Sequence, residues 1–153
     1  MRILSLIASS TEIVHALNQG KHLIGRSHEC DYPAEVKKLP HCTRPKIDIH
    51  GSSREIDRRV KSALKSALSI YEVDEKKLKT LNPDIIITQS QCEVCAVSLL
   101  DVEKAIGSLV ENKPKIVSLE PNSIDDIWTD IEKISDAICV PTEGSALIKG
   151  MKN

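Results

Sequence analysis

The sequence contains no phenylalanine, and its only aromatic side chains are those of Tyr32, Tyr71 and Trp128. This is little material with which to hold a large planar ligand, because aromatic rings supply much of the contact area in such pockets. No apolar run approaches the length that is needed to cross a bilayer, which argues against membrane insertion. The formal net charge of −1 gives no electrostatic reason to expect nucleic acid as a partner.

The motifs of several common enzyme classes are also missing. The chain has no glycine-rich phosphate loop, no H-E-x-x-H zinc helix and no G-x-S-x-G nucleophile elbow. A Ser-His-Asp triad could be assembled only by arbitrary selection. The residues therefore make no case for an enzyme. The 153 residues fit one domain, and 41% hydrophobic and 28% charged residues are typical of globular proteins.

The first seven residues hold one basic side chain and a short apolar run that leads directly into a predicted helix. We interpret them as a β-strand and not as a secretory signal, which gives a cytoplasmic location as the expectation. The five cysteines of such a chain should be reduced. Their presence then favours thiol or metal chemistry over a disulfide framework.

Strand and helix patterns alternate along the chain. Apolar runs predict strands at residues 3–6, 22–25, 84–88 and 115–119. Helical spacing and capping signals predict helices at residues 9–20, 52–68, 74–81, 99–110 and 123–137, and the start of another helix from residue 141. Residues 27–50 hold three prolines and are predicted to be a long loop with one helical turn near residues 34–38. This order predicts an α/β fold with a Rossmann-like open parallel sheet flanked by helices.

Two short strings with cysteines follow directly on predicted strands. Residues 27–33 read SHECDYP, and residues 91–97 read QCEVCAV. In an open parallel sheet, the loops at the carboxyl ends of the strands share one edge, and ligands bind there. The two strings should therefore face each other across one crevice. They bring together the ligand-type side chains of His28, Glu29, Cys30, Asp31, Cys92, Glu93 and Cys95.

The cysteine pair at positions 92 and 95 is a single C-x-x-C motif, which is only moderately specific. Together with His28 and Cys30 it could complete a Cys₃His site for zinc or iron. A thiol redox pair is a second hypothesis, although Glu93 between the thiols disfavours the thiolate that such catalysis needs. The third is that both cysteines pack as small apolar side chains.

The turn after the first strand places Ser9 and Ser10 at a predicted helix N-terminus, beside Glu12. Backbone amides and the helix dipole make such a turn suitable for an anion or a carbonyl group. The simpler interpretation is that Ser9 caps the helix and that Glu12 completes a capping box.

Several strings resemble the cobalamin and iron-siderophore substrate-binding proteins of ABC transporters, which have the class III periplasmic-binding fold. Residues 5–14 (SLIASSTEIV) resemble their opening, and residues 81–89 (LNPDIIITQ) resemble their L-x-P-D-L-I strand. The leaderless branch that is usually labelled cobalamin-binding protein is the most similar. It shares SHECDYP and the strings at residues 69–74 (SIYEVD), 89–97 (QSQCEVCAV) and 117–121 (VSLEP).

The resemblance implies a non-catalytic lobe that binds a cobalamin-type corrinoid or another metal chelate. Family members have two α/β lobes joined by a long helix, so residues 1–140 would form the N-terminal lobe and residues 141–153 the start of the interlobe helix, with the second lobe absent. A second lobe or an ABC transporter permease would be the partner. The alternative is an intracellular Cys/His metal-binding or thiol redox protein.

The resemblance also implies a set of site residues at the crevice edge. His28 would be the candidate axial ligand of a cobalamin, since a neutral imidazole is the usual nitrogen donor. The implied ligand contacts are Ser9, Ser10, His28, Glu29, Asp31, Tyr32, Gln91 and Glu120. The implied metal ligands are His28, Cys30, Cys92 and Cys95.

Overall fold

A four-stranded parallel sheet is the central element of the computed structural model, which describes residues 1–65, 70–90, 99–107 and 113–152. The strands are β1 (Ile3–Ser5), β2 (Leu23–Arg26), β3 (Thr43–Pro45), β4 (Tyr71–Val73), β5 (Ile85–Gln89) and β6 (Lys115–Leu119). The helices are α1 (Ala8–Ala16), α2 (Ser53–Lys65), α3 (Glu75–Leu81), α4 (Leu99–Gly107), α5 (Ile124–Ala137) and α6 (Pro141–Lys152). Short 3₁₀ turns cover Gly20–His22 and Ala34–Lys38.

The sheet has the order β2-β1-β5-β6, and every neighbouring pair of its strands is parallel. The predicted α/β fold with an open parallel sheet flanked by helices is thereby confirmed. The three consecutive isoleucines of β5 suit its interior position, because a strand that is covered on both faces needs apolar side chains on both. Ile86 and Ile87 accordingly have no exposed surface.

Helices cover both faces of the sheet. Successive side chains of a strand point to opposite faces, so Ile86 and Ile87 pack against different helices. Ile87 belongs to an apolar cluster that includes residues of α1 and α5. Ile86 belongs to a second cluster that includes residues of α3 and α4. The sheet is therefore the middle layer between two apolar cores.

Helix α1 starts and ends differently from the prediction. The prediction of a capping box at Ser9 is wrong, since α1 begins at Ala8 and its N-cap, Ile7, makes no side-chain cap hydrogen bond. The chain enters this helix directly from buried β1, and the Ser10 hydroxyl turns back to donate to the Ile7 carbonyl at 3.0 Å. Gly20 does not end the helix either. Asn18, with a φ of 56°, takes the left-handed conformation after the last turn.

Three other predicted helix starts are confirmed. The Ser52 amide donates to the Glu55 carboxylate at 2.8 Å, and the Glu55 amide donates back to the Ser52 hydroxyl at 3.4 Å, which completes a capping box. Asp74 and Ser123 each accept a backbone N–H bond at the starts of α3 and α5.

The long loop predicted for residues 27–50 contains a strand. Strand β3 pairs antiparallel with β4 in a separate two-stranded sheet, in which Thr43 lies opposite Val73. Both strands have only three residues, and β3 ends in a proline. Neither has the run of alternating apolar residues that predicts a strand. The helical turn predicted near residues 34–38 is confirmed as a 3₁₀ turn.

The predicted helix at the end of the chain is confirmed as α6, which packs on α5. Gly144 and Ile148 are its buried residues, and the Lys152 ammonium lies 5.2 Å from the centroid of the Trp128 ring, a cation–π distance. That α6 begins an interlobe helix stays a prediction. None of the described helices combines the length and the apolar composition that a membrane span requires.

Candidate ligand-binding site

The carboxyl ends of β1, β2, β5 and β6 lie along one edge of the sheet, because these strands are all parallel. The chain runs outward from β1 to β2 and later returns to β5 on the other side of β1. This reversal of strand order falls between β1 and β5, and such a reversal is the usual ligand position in open α/β sheets. The loop after β2 and the turn after β6 lie at the same edge of the sheet.

Arg26, the last residue of β2, shapes the loop that follows it. Its guanidinium Nη1 donates to the carbonyls of Ser27 at 2.9 Å, His28 at 3.4 Å and Cys30 at 3.0 Å. A planar guanidinium can serve several acceptors at fixed angles, which a lysine ammonium on a flexible stem does less well. This residue therefore fixes the backbone that carries three of the predicted site residues.

His28 lies in a small polar cluster formed by the β2 loop and the β3–β4 sheet. Its Nδ1 lies 2.7 Å from the Thr43 hydroxyl, and its ring centroid is 5.1 Å from that of Tyr71. The Tyr71 hydroxyl in turn donates to the Glu29 carboxylate at 3.0 Å. Burial lowers the pKa of His28, with the nearby Glu29 charge opposing that effect. The imidazole is therefore neutral at neutral pH.

Buried hydroxyls fill the space beneath this edge. The hydroxyls of Ser5 and Ser10 lie 2.6 Å apart, and the Thr11 hydroxyl donates to Ser5 Oγ at 2.7 Å. All three residues have no exposed surface. The Ser10 hydroxyl bonds inside the protein and ties α1 to β1, and the predicted ligand contact of Ser10 stays a prediction. Ser9, one position earlier, is exposed.

Cys30 belongs to the same buried layer. It is 1% exposed, and its Sγ lies 3.0 Å from the Thr11 hydroxyl. Burial raises the pKa of this thiol, which disfavours the thiolate that a metal would need. Within the part of the chain that the structure describes, no three His, Cys, Asp or Glu side chains lie together as a metal-binding group.

A second polar cluster lies at the ends of β5 and β6. The Ser118 hydroxyl donates to Ser90 Oγ at 2.8 Å, and the Ser90 hydroxyl donates to the Glu120 carboxylate. Glu120 itself is exposed. The predicted contact at Glu120 is thus placed on the same edge of the sheet as His28 and Glu29, with a carboxylate available to a ligand.

An apolar groove of about 680 Å³ runs beside this edge, between α1, α5 and α6. The predicted contacts Ser9 and Tyr32 both line it, and the Tyr32 side chain is 66% exposed. The groove walls also include the apolar side chains of Ile13, Ile127, Leu147 and Met151.

Three predicted site residues, Gln91, Cys92 and Cys95, lie outside the described residues, so the Cys₃His hypothesis and the facing of the two cysteine strings stay predictions. Asp31 is exposed in the β2 loop. The contribution of Thr43 and Tyr71 was not apparent from sequence, because their contact with His28 depends on the unpredicted β3–β4 pairing. The one sequence signal for Tyr71 was its position in the SIYEVD string, which is among the strings that resemble the family.

Comparisons with known proteins place this geometry in context. No protein-family model matches the chain. The chain is 22% identical, over 152 residues, to the uncharacterized ABC transporter substrate-binding lipoprotein YvrC of Bacillus subtilis strain 168, covering 99% of this chain and 38% of the relative.

Two solved structures have the same arrangement of elements. The periplasmic vitamin B12-binding protein BtuF of Vibrio cholerae matches with a TM-score of 0.68 and 20% identity, over 99% of this chain and 46% of that one. The apo periplasmic haem-binding protein RhuT of Roseiflexus sp. RS-1 matches with a TM-score of 0.63 and 21% identity, over 95% of this chain and 43% of that one. The fold of this chain is therefore similar to the matched part of each of these two proteins. The chain spans less than half the length of each of these proteins.

Proposed function

We propose that this chain is a non-catalytic binding lobe for a metal chelate of the corrinoid class. The observation that carries the proposal is the placement of Glu29, His28 and Glu120 along the carboxyl edge of a sheet whose fold is similar to that of a vitamin B12-binding protein. Such an edge offers hydrogen-bonding groups to a polar ligand.

The two kinds of surface at this edge suit the two kinds of surface on a corrinoid. Exposed carboxylates at Glu29 and Glu120 would accept hydrogen bonds from the amide side chains at the rim of the macrocycle. The apolar groove beside Ser9 and Tyr32 would contact its hydrophobic parts. Because the chain covers less than half of each of these neighbours, the second wall would come from another lobe, and an ABC transporter permease would be the receiving partner.

Titration calorimetry and native mass spectrometry with aquocobalamin test this proposal, with haemin as the competing chelate. One wall alone should give weak binding, with a Kd of roughly tens of micromolar, since enclosure of most of the ligand surface is what makes such pockets tight. Glu120→Gln and Tyr32→Ala should each weaken binding about tenfold, whereas Glu103→Gln on α4, also an exposed carboxylate, should not.

Four outcomes would contradict the proposal or a part of it. Absence of binding of both chelates at millimolar concentration would reject it, and preference for haemin would reject the corrinoid class. Zinc or iron bound instead, and lost in Cys92→Ser, would favour the Cys/His metal-binding alternative. Nanomolar binding of aquocobalamin by the chain alone would show that the second wall is dispensable.

A further inference from the structure

Thr43 stands at the centre of a closed hydrogen-bond group around His28. Its Oγ1 accepts from the His28 backbone amide at 3.0 Å, lies 3.1 Å from the Ser27 hydroxyl and 2.7 Å from the His28 Nδ1. Thr43 is 2% exposed and Ser27 is 3% exposed, so water does not readily complete this group. The Ser27 hydroxyl also accepts from the Glu29 amide at 3.3 Å.

The number of hydrogens in this group decides where the imidazole carries its proton. A hydroxyl donates one hydrogen and accepts two. The His28 amide can only donate, so Thr43 Oγ1 has one donation and one acceptance left for its two remaining neighbours, Ser27 Oγ and His28 Nδ1. Only two arrangements satisfy that count.

In the first arrangement, Ser27 donates to Thr43 and Thr43 donates to the bare Nδ1 of His28. Both hydroxyl hydrogens then have acceptors. In the second, a protonated Nδ1 donates to Thr43 and Thr43 donates to Ser27. The Ser27 hydrogen is then left without an acceptor among the described residues, and a buried unpaired hydroxyl is costly. The first arrangement is therefore the stable one.

We infer that neutral His28 carries its proton on Nε2, and that it is a hydrogen-bond donor to an oxygen of the ligand and not a metal ligand. The half-buried ring has no hydrogen-bond partner for Nε2 within the described part of the chain. A protonated Nε2 cannot coordinate a metal, and the acceptor it suits is an amide carbonyl or carboxylate oxygen. The axial-ligand role implied by the family resemblance is replaced by this one.

The charged and titratable groups around His28 are compatible with a neutral ring. Glu29 acts against neutrality, whereas Arg26 and His41 favour it, and burial is the largest influence. The position of the proton is a property of the free protein. The ligand role rests on the function proposed above, so the two parts need separate measurements.

Long-range ¹H–¹⁵N NMR correlations of the ligand-free protein measure the proton position directly. We expect an unprotonated Nδ1 and a protonated Nε2 for His28. Thr43→Ser keeps the donor to Nδ1 and should keep this tautomer, whereas Thr43→Val removes the donor and should shift the population toward Nδ1–H. Thr80→Val on α3 is the matched control and should change nothing. A protonated Nδ1 in the unaltered protein would overturn the inference.

Absorption titration with aquocobalamin tests the ligand role, since coordination by imidazole replaces the axial water and shifts the corrin bands. We expect no such shift. His28→Ala should weaken binding about tenfold, and His28→Gln, which returns an N–H donor but is a poor metal ligand, should restore most of that loss. A band shift that His28→Gln abolishes would overturn the donor role. No binding by any variant would reject the ligand role together with the proposed function, while the NMR result stands independently.

Discussion

Gly144 of α6 lies against Ser135 of α5 so closely that a Cβ added to the glycine would be 2.6 Å from the Ser135 Cβ and closer still to its hydroxyl. Real Cβ atoms do not approach other atoms to this distance, so one of the two helices must move to admit a methyl group. The close contact between α5 and α6 therefore depends on the absence of a side chain at Gly144.

Gly144→Ala should lower the free energy of unfolding by about 1–3 kcal/mol, as overpacking of a well-packed contact does. Urea denaturation measures it. Gly150→Ala, in the same helix with no atom within 4 Å of the added Cβ, is the matched control. It should raise stability by up to about 1 kcal/mol, because alanine is the better helix former. Equal effects of the two substitutions would contradict the tight contact.

The described cysteines should differ sharply in reactivity. Cys30 and Cys42 are buried, and burial raises the pKa of both thiols, whereas Cys139 is exposed. Since the thiolate is the reactive species, alkylation at neutral pH should label Cys139 first, and the other two only in denaturant. Peptide mapping by mass spectrometry separates the sites. Labelling of Cys30 in the native protein as fast as Cys139 would show that the buried layer opens readily.

Stability should fall in alkaline solution because of Cys42. Burial raises the pKa of this thiol from 9.0 to about 11. The unfolded chain releases the proton near pH 9 and the folded chain only near pH 11, so this contribution is complete below pH 9 and is lost between those two values. The loss is at most about 3 kcal/mol. The free energy of unfolding, measured by denaturation at several pH values in this range, should fall less steeply with pH in Cys42→Ala. In Cys139→Ala it should fall as steeply as in the unaltered protein.

Arg26→Lys should loosen the β2 loop without unfolding the sheet, because an ammonium does not reproduce three guanidinium–carbonyl bonds. We expect amide hydrogen exchange at residues 27–32 to accelerate about tenfold, with exchange in β1 and β5 unchanged. Arg44→Lys is the control, since Arg44 is exposed and pairs with Glu72 outside this loop. If exchange at residues 27–32 stays slow in Arg26→Lys, contacts other than those of Arg26 hold this loop in place.

Local signals in the sequence were sufficient for most of the sheet and for the later helices. Residues 115–119 were predicted as a strand and form β6, and Ser123 caps α5 as expected, because an apolar run and a capping serine act on their immediate neighbours. The same kind of signal failed at Ser9, where the chain leaves a buried strand and the hydroxyls beneath the edge bond to one another instead.

Contacts between distant segments could not be predicted in this way. Strands β3 and β4 exist because they pair, and Arg44 and Glu72, which face each other there, are 28 positions apart. The sequence string around His28 correctly indicated the carboxyl edge of the sheet. It contained nothing about Thr43, whose hydroxyl fixes the chemistry of the imidazole.

The position of β1 between β2 and β5 has a consequence for the order of folding. The Arg2 backbone amide donates to the Asp84 carboxylate, a separation of 82 residues, and β1, which begins at the next residue, pairs with β5 at the same separation. During synthesis, the first strand therefore leaves the ribosome well before its inner neighbour exists. Closing so long a loop slows folding. Until β5 has been synthesised, the edge of β1 that pairs with it stays unpaired and apolar. Chaperones would bind at that edge, and premature aggregation would start there.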